Sequence, residues 1–165
     1  MPSIKSILMD NVENNKDVNL LKSRFTALKE PCIKAVIMFG SRARGEARDK
    51  SDIDLLILHE DYGIQDSILR RRHLYNLIRE TIGEDFEDVT VIDMDLKRFL
   101  NPIEITSLLL NIYWDAVVLY DKTGKIRDFL RHVRRKIIES GLKRVRDGMA
   151  YRWILPKPME EVKIL

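Results

Sequence analysis

Apolar and polar residues follow two rhythms along this chain, one of period two and one of helical period. After Asp17, read as a helix N-cap, Leu20, Leu21, Phe25 and Leu28 recur at helical spacing until Pro31. A β-rich run follows, Cys32 to Phe39, and stops at Gly40. Residues 41–51 are polar, and Asp52 to Leu58 reads as a second strand. From Gln65 to Thr81 the positions Ile68, Leu69, Leu74, Tyr75, Leu77 and Ile78 mark a helix that ends near Gly83. A third strand runs from Asp88 to Ile92. Leu96 to Ile112 is helical and broken before Pro102, because the residue preceding proline avoids the helical region. Ala116 to Tyr120 is a fourth strand, closed by the turn Asp121-Lys122-Thr123-Gly124. A long basic helix is predicted from Lys125 to Met149, then an extended tail from Tyr151 to Pro158. The first ten residues carry no clear period.

The order is thus α-β-β-α-β-α-β-α, an α/β (α+β) arrangement with a mixed sheet of about four strands flanked by helices. Strands one and two are joined by a polar stretch suited to an antiparallel return. Strands two and three enclose a full helix, as a right-handed parallel crossover requires. Strand two then lies between strands one and three. The end of strand one meets the starts of strands two and three, and Gly40, Ser41, Asp52, Asp54 and Asp88 converge at one edge. We divide the chain into a first unit over 15–121 and a C-terminal helical extension over 122–165 packed on it.

Composition narrows the class. With 45% hydrophobic and 33% charged residues, this is a soluble globular chain and not a disordered one. No apolar run is long enough to span a bilayer, and the N-terminus lacks a signal architecture, so no membrane role is expected. The single cysteine, Cys32, excludes an intramolecular disulfide and fits a reducing cytoplasm; we read it as a small core residue. The net charge of +3 is uneven: acids crowd Glu80 to Asp95, and bases crowd the chain from Lys122 onward.

Candidate chemistry lies at the predicted edge. Asp52 and Asp54 are two apart on a strand, so their carboxylates project from one face. Like charges so close call for a cation, and hard oxygen ligands favour magnesium with phosphate oxygens completing its shell. The alternation of strand three puts Asp88, Thr90 and Ile92 on one face. With Asp88 as a third carboxylate, the open face could hold two metals for phosphoryl displacement. Gly40 permits close backbone approach and the Ser41 hydroxyl can bond a phosphate oxygen. Arg42 and Arg44 are natural partners for triphosphate oxygens.

The segment Phe39-Gly40-Ser41-Arg42-Ala43-Arg44-Gly45-Glu46-Ala47, followed by Ser51-Asp52-Ile53-Asp54-Leu55-Leu56, resembles the minimal nucleotidyltransferases of the DNA polymerase β superfamily. The spacing Gly-Ser, ten residues, Asp-x-Asp is similar to that of MntA-like antitoxins of MNT–HEPN pairs. The resemblance covers about 20–121. It implies a nucleotidyltransferase fold and magnesium-dependent transfer of a nucleoside monophosphate, AMP from ATP first. It also implies Asp52, Asp54 and Asp88 as catalytic metal ligands for two Mg2+ ions, and a HEPN ribonuclease as partner. The acceptor hydroxyl is left open.

The basic helix predicted over 125–149 could track an RNA backbone, form a solvated face or dock an acidic protein. Its apolar positions Ile126, Phe129, Leu130, Val133, Ile137, Ile138, Leu142 and Val145 pack on something, which is also compatible with a homodimer. Tyr151 and Trp153 either stack on bases or pack on their own domain. His59, His73 and His132 have no metal-ligand spacing; His59 reads as a surface or loop residue, and Arg70-Arg71-Arg72 as a solvated face.

Overall fold

A computed structural model describes residues 15–48 and 51–165. The N-terminal ten residues, for which no period was found, lie outside the described residues, as do Asp49 and Lys50.

The period-two runs form one sheet of four strands, β1 (Ile33–Phe39), β2 (Ile53–His59), β3 (Val89–Asp95) and β4 (Val117–Asp121). Their order is β3-β2-β1-β4, with β2 parallel to β3 and β1 antiparallel to both β2 and β4. This is the mixed sheet that the connection lengths imply: a short polar return joins β1 to β2, and a helical crossover joins β2 to β3.

Alternation sends the side chains of each strand into two separate cores. On one face Val36, Met38, Ile53, Leu55, Ile57 and Val91 pack against α1 (Lys16–Phe25) and α3 (Ser67–Ile82), through Val18, Leu21, Phe25, Leu74, Ile78 and Ile82. On the other, Ala35, Ile37, Leu56, Leu58 and Val118 pack against α4 (Leu96–Leu100), α5 (Ser107–Asp115) and α6 (Ile126–Glu139). The face carrying Asp52 and Asp54, expected to be open, is therefore covered from Leu56 onward, and only its edge remains accessible. Both central strands are buried on two faces, so their sequences read as nearly continuous apolar runs.

Several boundaries differ from the sequence reading. The N-cap of α1 is Asn15, whose Oδ1 accepts from the N–H groups of Asp17 and Val18 at 3.0 and 3.3 Å, so Asp17 lies inside the first turn. The predicted helix before Pro102 does break, and the chain restarts at Thr106, whose hydroxyl caps Leu109 N–H. The largest difference is at the C-terminus. The helix expected over Lys125 to Met149 stops at Glu139, because Gly141 turns the chain at φ +77°. Beyond it a hairpin forms from β5 (Lys143–Asp147) and β6 (Ala150–Ile154), turning at Gly148 with φ +64°.

The apolar stripe of α6 is consumed inside the chain. Ile126, Leu130, Val133 and Ile137 are buried with Phe99, Tyr113 and Ile164 in the second core. Of the basic residues expected on one long helix, Arg127, Arg131 and Arg135 are exposed on α6, whereas Lys143, Arg144 and Arg146 belong to the hairpin. Arg134 is buried and donates from Nε to Tyr113 O at 3.0 Å and from a terminal nitrogen to Ala116 O at 2.7 Å. Arg144 lies on the hairpin. The basic residues proposed to track RNA are thus split between α6 and the hairpin, and the apolar stripe of α6 proposed for a dimer is covered within the chain. No described helix is long and apolar enough to cross a membrane.

Candidate active site

β1 ends at Phe39, which pairs with Asp54 of β2, and Asp54 in turn pairs with Thr90 of β3. The carboxylate of Asp54 is thus placed at the centre of the sheet edge. Gly40 follows at φ +77°, a region that L side chains rarely adopt, and opens the single-turn helix α2 (Gly40–Ala43). A Cβ at Gly40 would collide with Asp54 Oδ2 and lie 3.2 Å from its Cγ. Glycine is therefore required twice at position 40, by backbone conformation and by the closeness of the carboxylate. Ser41 is half-buried in this turn, and its carbonyl accepts from Glu46 N–H at 2.9 Å.

Burial pushes the Asp54 carboxyl above its ordinary value, and the neighbouring Asp52 charge pushes it further. The Thr90 hydroxyl and the Arg44 charge only partly offset this. Asp52 is exposed at the rim. Two carboxylates in mutual repulsion are a donor set suited to one divalent cation, because binding removes the repulsion.

Asp88 stands one step before Val89, the partner of Ile53, so it is level with Asp52 and by alternation shares a face with Thr90. It precedes β3, its carbonyl accepts from Ile53 N–H at 3.0 Å, and it lines a depression of about 400 Å³ with Asp17, Arg42, Ser51, Ile53 and Glu87. Among the described residues no three His, Cys, Asp or Glu side chains form a metal-holding group. Beside Asp54 stands Thr90.

The two arginines diverge. Arg42 turns to the α1 side, donating from Nε to Ser51 O and from a terminal nitrogen to Asp17 Oδ2, both at 2.8 Å. Arg44 stays on the Asp54 side and is held by Glu46 Oε2 and Asp115 Oδ2, each at 2.9 Å. Burial lowers the pKa of Arg44, but Glu46 and Asp115 together outweigh burial, and the net direction is upward.

The C-terminal hairpin, missed in the sequence reading, braces this loop. Arg144 forms a two-pronged ion pair with Asp115 at 2.7 Å on each prong, and its Nε donates to Asn111 Oδ1 at 3.1 Å. Trp153 Nε1 donates to the same Asn111 oxygen at 3.0 Å. The Tyr151 hydroxyl donates to Glu46 Oε1 at 2.5 Å, and its ring lies beneath both Arg44 and Arg144. Of the two readings for these aromatics, packing on the chain's own domain is the one found. The signal in the sequence was the alternation of Tyr151 and Trp153 after Asp147-Gly148.

At the other end of β2, His59 is buried and not on a loop, with Nε2 2.9 Å from Asp93 Oδ2. Arg70 donates to the same carboxylate at 2.7 Å, so the arginine run is only partly solvated. Cys32 precedes β1, half-buried, its Sγ 3.4 Å from Asp61 O.

Residues 21–125 match the family model described as "Polymerase beta, Nucleotidyltransferase". The chain belongs to this family. Three solved structures are similar to this nucleotidyltransferase-family chain at low identity. One is a candidate nucleotidyltransferase from Sulfolobus solfataricus, at 23% identity, TM-score 0.42, covering 64% of this chain and 80% of that one. A second is a toxin–antitoxin with AMP-PNP, at 17% identity, TM-score 0.44, covering 74% and 93%. A third is a mutant of the toxin–antitoxin MntA-HpeT, at 16% identity, TM-score 0.39, covering 76% and 92%. Among curated proteins, none matches the sequence.

Proposed function

We propose that this chain transfers a nucleoside monophosphate, AMP first, from a magnesium-bound nucleoside triphosphate to an acceptor hydroxyl. The observation that carries the reading is the Asp52–Asp54 pair at the sheet edge, with Asp54 pressed against Gly40 and its carboxyl pushed up by burial and by Asp52. Asp52 and Asp54 would hold the cation, which supplies charge neutralisation to the triphosphate. Gly40 and Ser41 let the phosphates approach the backbone closely, and Arg44 supplies positive potential beside them. In the transfer the acceptor oxygen bonds to the α-phosphorus, the bond to the bridging oxygen breaks, and pyrophosphate leaves with that electron pair. The acceptor proton passes to a site carboxylate or to water. The test is incubation with each α-labelled nucleoside triphosphate and Mg2+, offering tRNA and the protein encoded beside it as acceptors. Label is expected on one acceptor with the wild type and on none with the Asp52→Asn, Asp54→Asn double variant. Transfer by that double variant would refute the assignment.

A second reading is favoured by the surface of α3, where Ile68 is 78% and Leu69 57% exposed, beside exposed Tyr75, Arg71 and Arg72. Such a face suits a protein partner, and the resemblance points to a HEPN-type ribonuclease. If the double variant still neutralised that partner without nucleotide, binding alone would be the function.

A further inference from the structure

The hairpin brings a second guanidinium to the carboxylate that holds Arg44. Asp115, the last residue of α5, has a side chain 4% exposed and takes both prongs of Arg144 at 2.7 Å. Its Oδ2 also accepts from Arg44 Nη1 at 2.9 Å. Glu46 engages Arg44 Nε at 2.9 Å, and Arg44 Nη2 has no hydrogen bond among the described residues. The ring of Tyr151 lies 4.8 Å from Arg44 Cζ and 4.1 Å from Arg144 Cζ. Two like charges thus converge on one aromatic ring and one carboxylate oxygen.

The charges around Arg44 balance only because of Arg144. Two carboxylates, Glu46 and Asp115, face two guanidiniums, Arg44 and Arg144, and exposed Arg146 acts on Glu46 from the hairpin side. Asp115 is buried, so water screens its charge little and a cation must stand beside it. Without Arg144, both carboxylates would bear on Arg44 alone, and the loop beside Asp52 and Asp54 would turn negative. An anionic triphosphate would then meet repulsion where Arg44 now attracts it. Anchoring the hairpin requires only Arg144 and Asp115; it does not require Arg44 on the same oxygen.

We propose that Arg144 is a positioning residue for the triphosphate, acting through Asp115: it offsets that buried carboxylate and leaves the charge of Arg44 to attract phosphate. This rests on the reading above that Arg44 stands beside the phosphates. It gives a part in nucleotide binding to a residue beyond 21–125, the stretch that the family model matches.

The test is calorimetric titration of the full chain with the α,β-methylene analogue of ATP in excess Mg2+. Arg144→Leu is expected to bind roughly tenfold more weakly than the wild type, the scale of one poorly screened charge. Arg144→Lys keeps the charge and binds close to the wild type. Arg144→Leu combined with Asp115→Asn removes the carboxylate charge along with the arginine and recovers most of the affinity. A merely structural brace predicts the reverse, since the second change breaks the brace further. A folded Arg144→Leu protein that binds like the wild type overturns the inference, as does a double variant that binds no better than Arg144→Leu alone. Should Arg144→Leu show no cooperative melt, Arg144→Gln, which can still donate to Asp115 without a charge, takes its place in both comparisons. If the wild type does not bind the analogue, the proposed function falls with the inference; if it binds and the variants fail as stated, the inference alone falls.

Discussion

The parallel pair β2–β3 carries buried acids at both ends, and the two ends treat them in opposite ways. At the far end the Asp93 side chain is 2% exposed and bonded by Arg70 at 2.7 Å, His59 at 2.9 Å and Arg71 at 3.4 Å. Burial alone would raise its carboxyl, but Arg70 and His59 outweigh burial and hold it below the ordinary range. At the near end Asp54 is also half-buried, yet its nearest charge is another carboxylate, and its pKa is raised. The same strands thus contain a matched charge and an unmatched one. A matched buried charge is scaffold; an unmatched one marks a candidate functional site.

The most severe way to break this contrast is to neutralise the unmatched end. Asp52→Asn with Asp54→Asn should lower transfer by roughly a thousandfold or more, the scale of losing preorganised charge stabilisation, while the metal-free protein melts at the same temperature or higher. Rates from labelled triphosphate and a calorimetric melt check both halves. At the matched end the outcome reverses. Asp93→Ala strands Arg70 and His59 and should cost about 3 kcal/mol of stability in urea unfolding, with Mn2+ affinity retained in the folded fraction. Gly40→Ala combines a positive φ with a collision against Asp54, and should cost about 2 kcal/mol as well as weakening Mn2+ binding. Removal of the hairpin contact in Tyr151→Phe should cost about 0.5–1 kcal/mol, read from the same urea curves.

Acid titration sharpens the comparison further. The folded Asp54 carboxyl lies above its ordinary value, so Mn2+ affinity declines as pH falls through a window that begins above the usual carboxylate range. Over that window the metal-free fold gains stability, because the native state takes up a proton before the unfolded chain does. Asp93 has the opposite sign: its contribution is complete above the ordinary carboxyl value and is lost as pH falls through its lowered folded value. Cation binding should therefore fail at a higher pH than the fold does, as paired Mn2+ titrations and melts would display.

The sheet was legible because connection length and alternation act locally. A polar return after Phe39 and a helix between β2 and β3 left few topologies, and Gly40-Ser41 with Asp52 and Asp54 fell together at one edge. Alternation ties Asp88 to Thr90 on one face without saying which of the two stands level with Asp54. That is a matter of register, and the pairing of Asp54 with Thr90 sets Asp88 level with Asp52. His59 was misread since its partner, Asp93, lies 34 positions away. The hairpin was hidden by composition: Lys143, Arg144 and Arg146 look like a continuing basic helix, whereas Gly141 and Gly148 carry the stop and the turn.

The bond between Tyr151 and Glu46 spans 105 positions, and that between Arg44 and Asp115 spans 71. A ribosome delivers the four sheet strands well before it delivers β6. The edge with Gly40 and Asp54 can therefore assemble on the nascent chain while the clasp over Arg44 is still unmade. Completion of the motif loop waits for β6, and any chain released before Tyr151 carries the strands without the clasp.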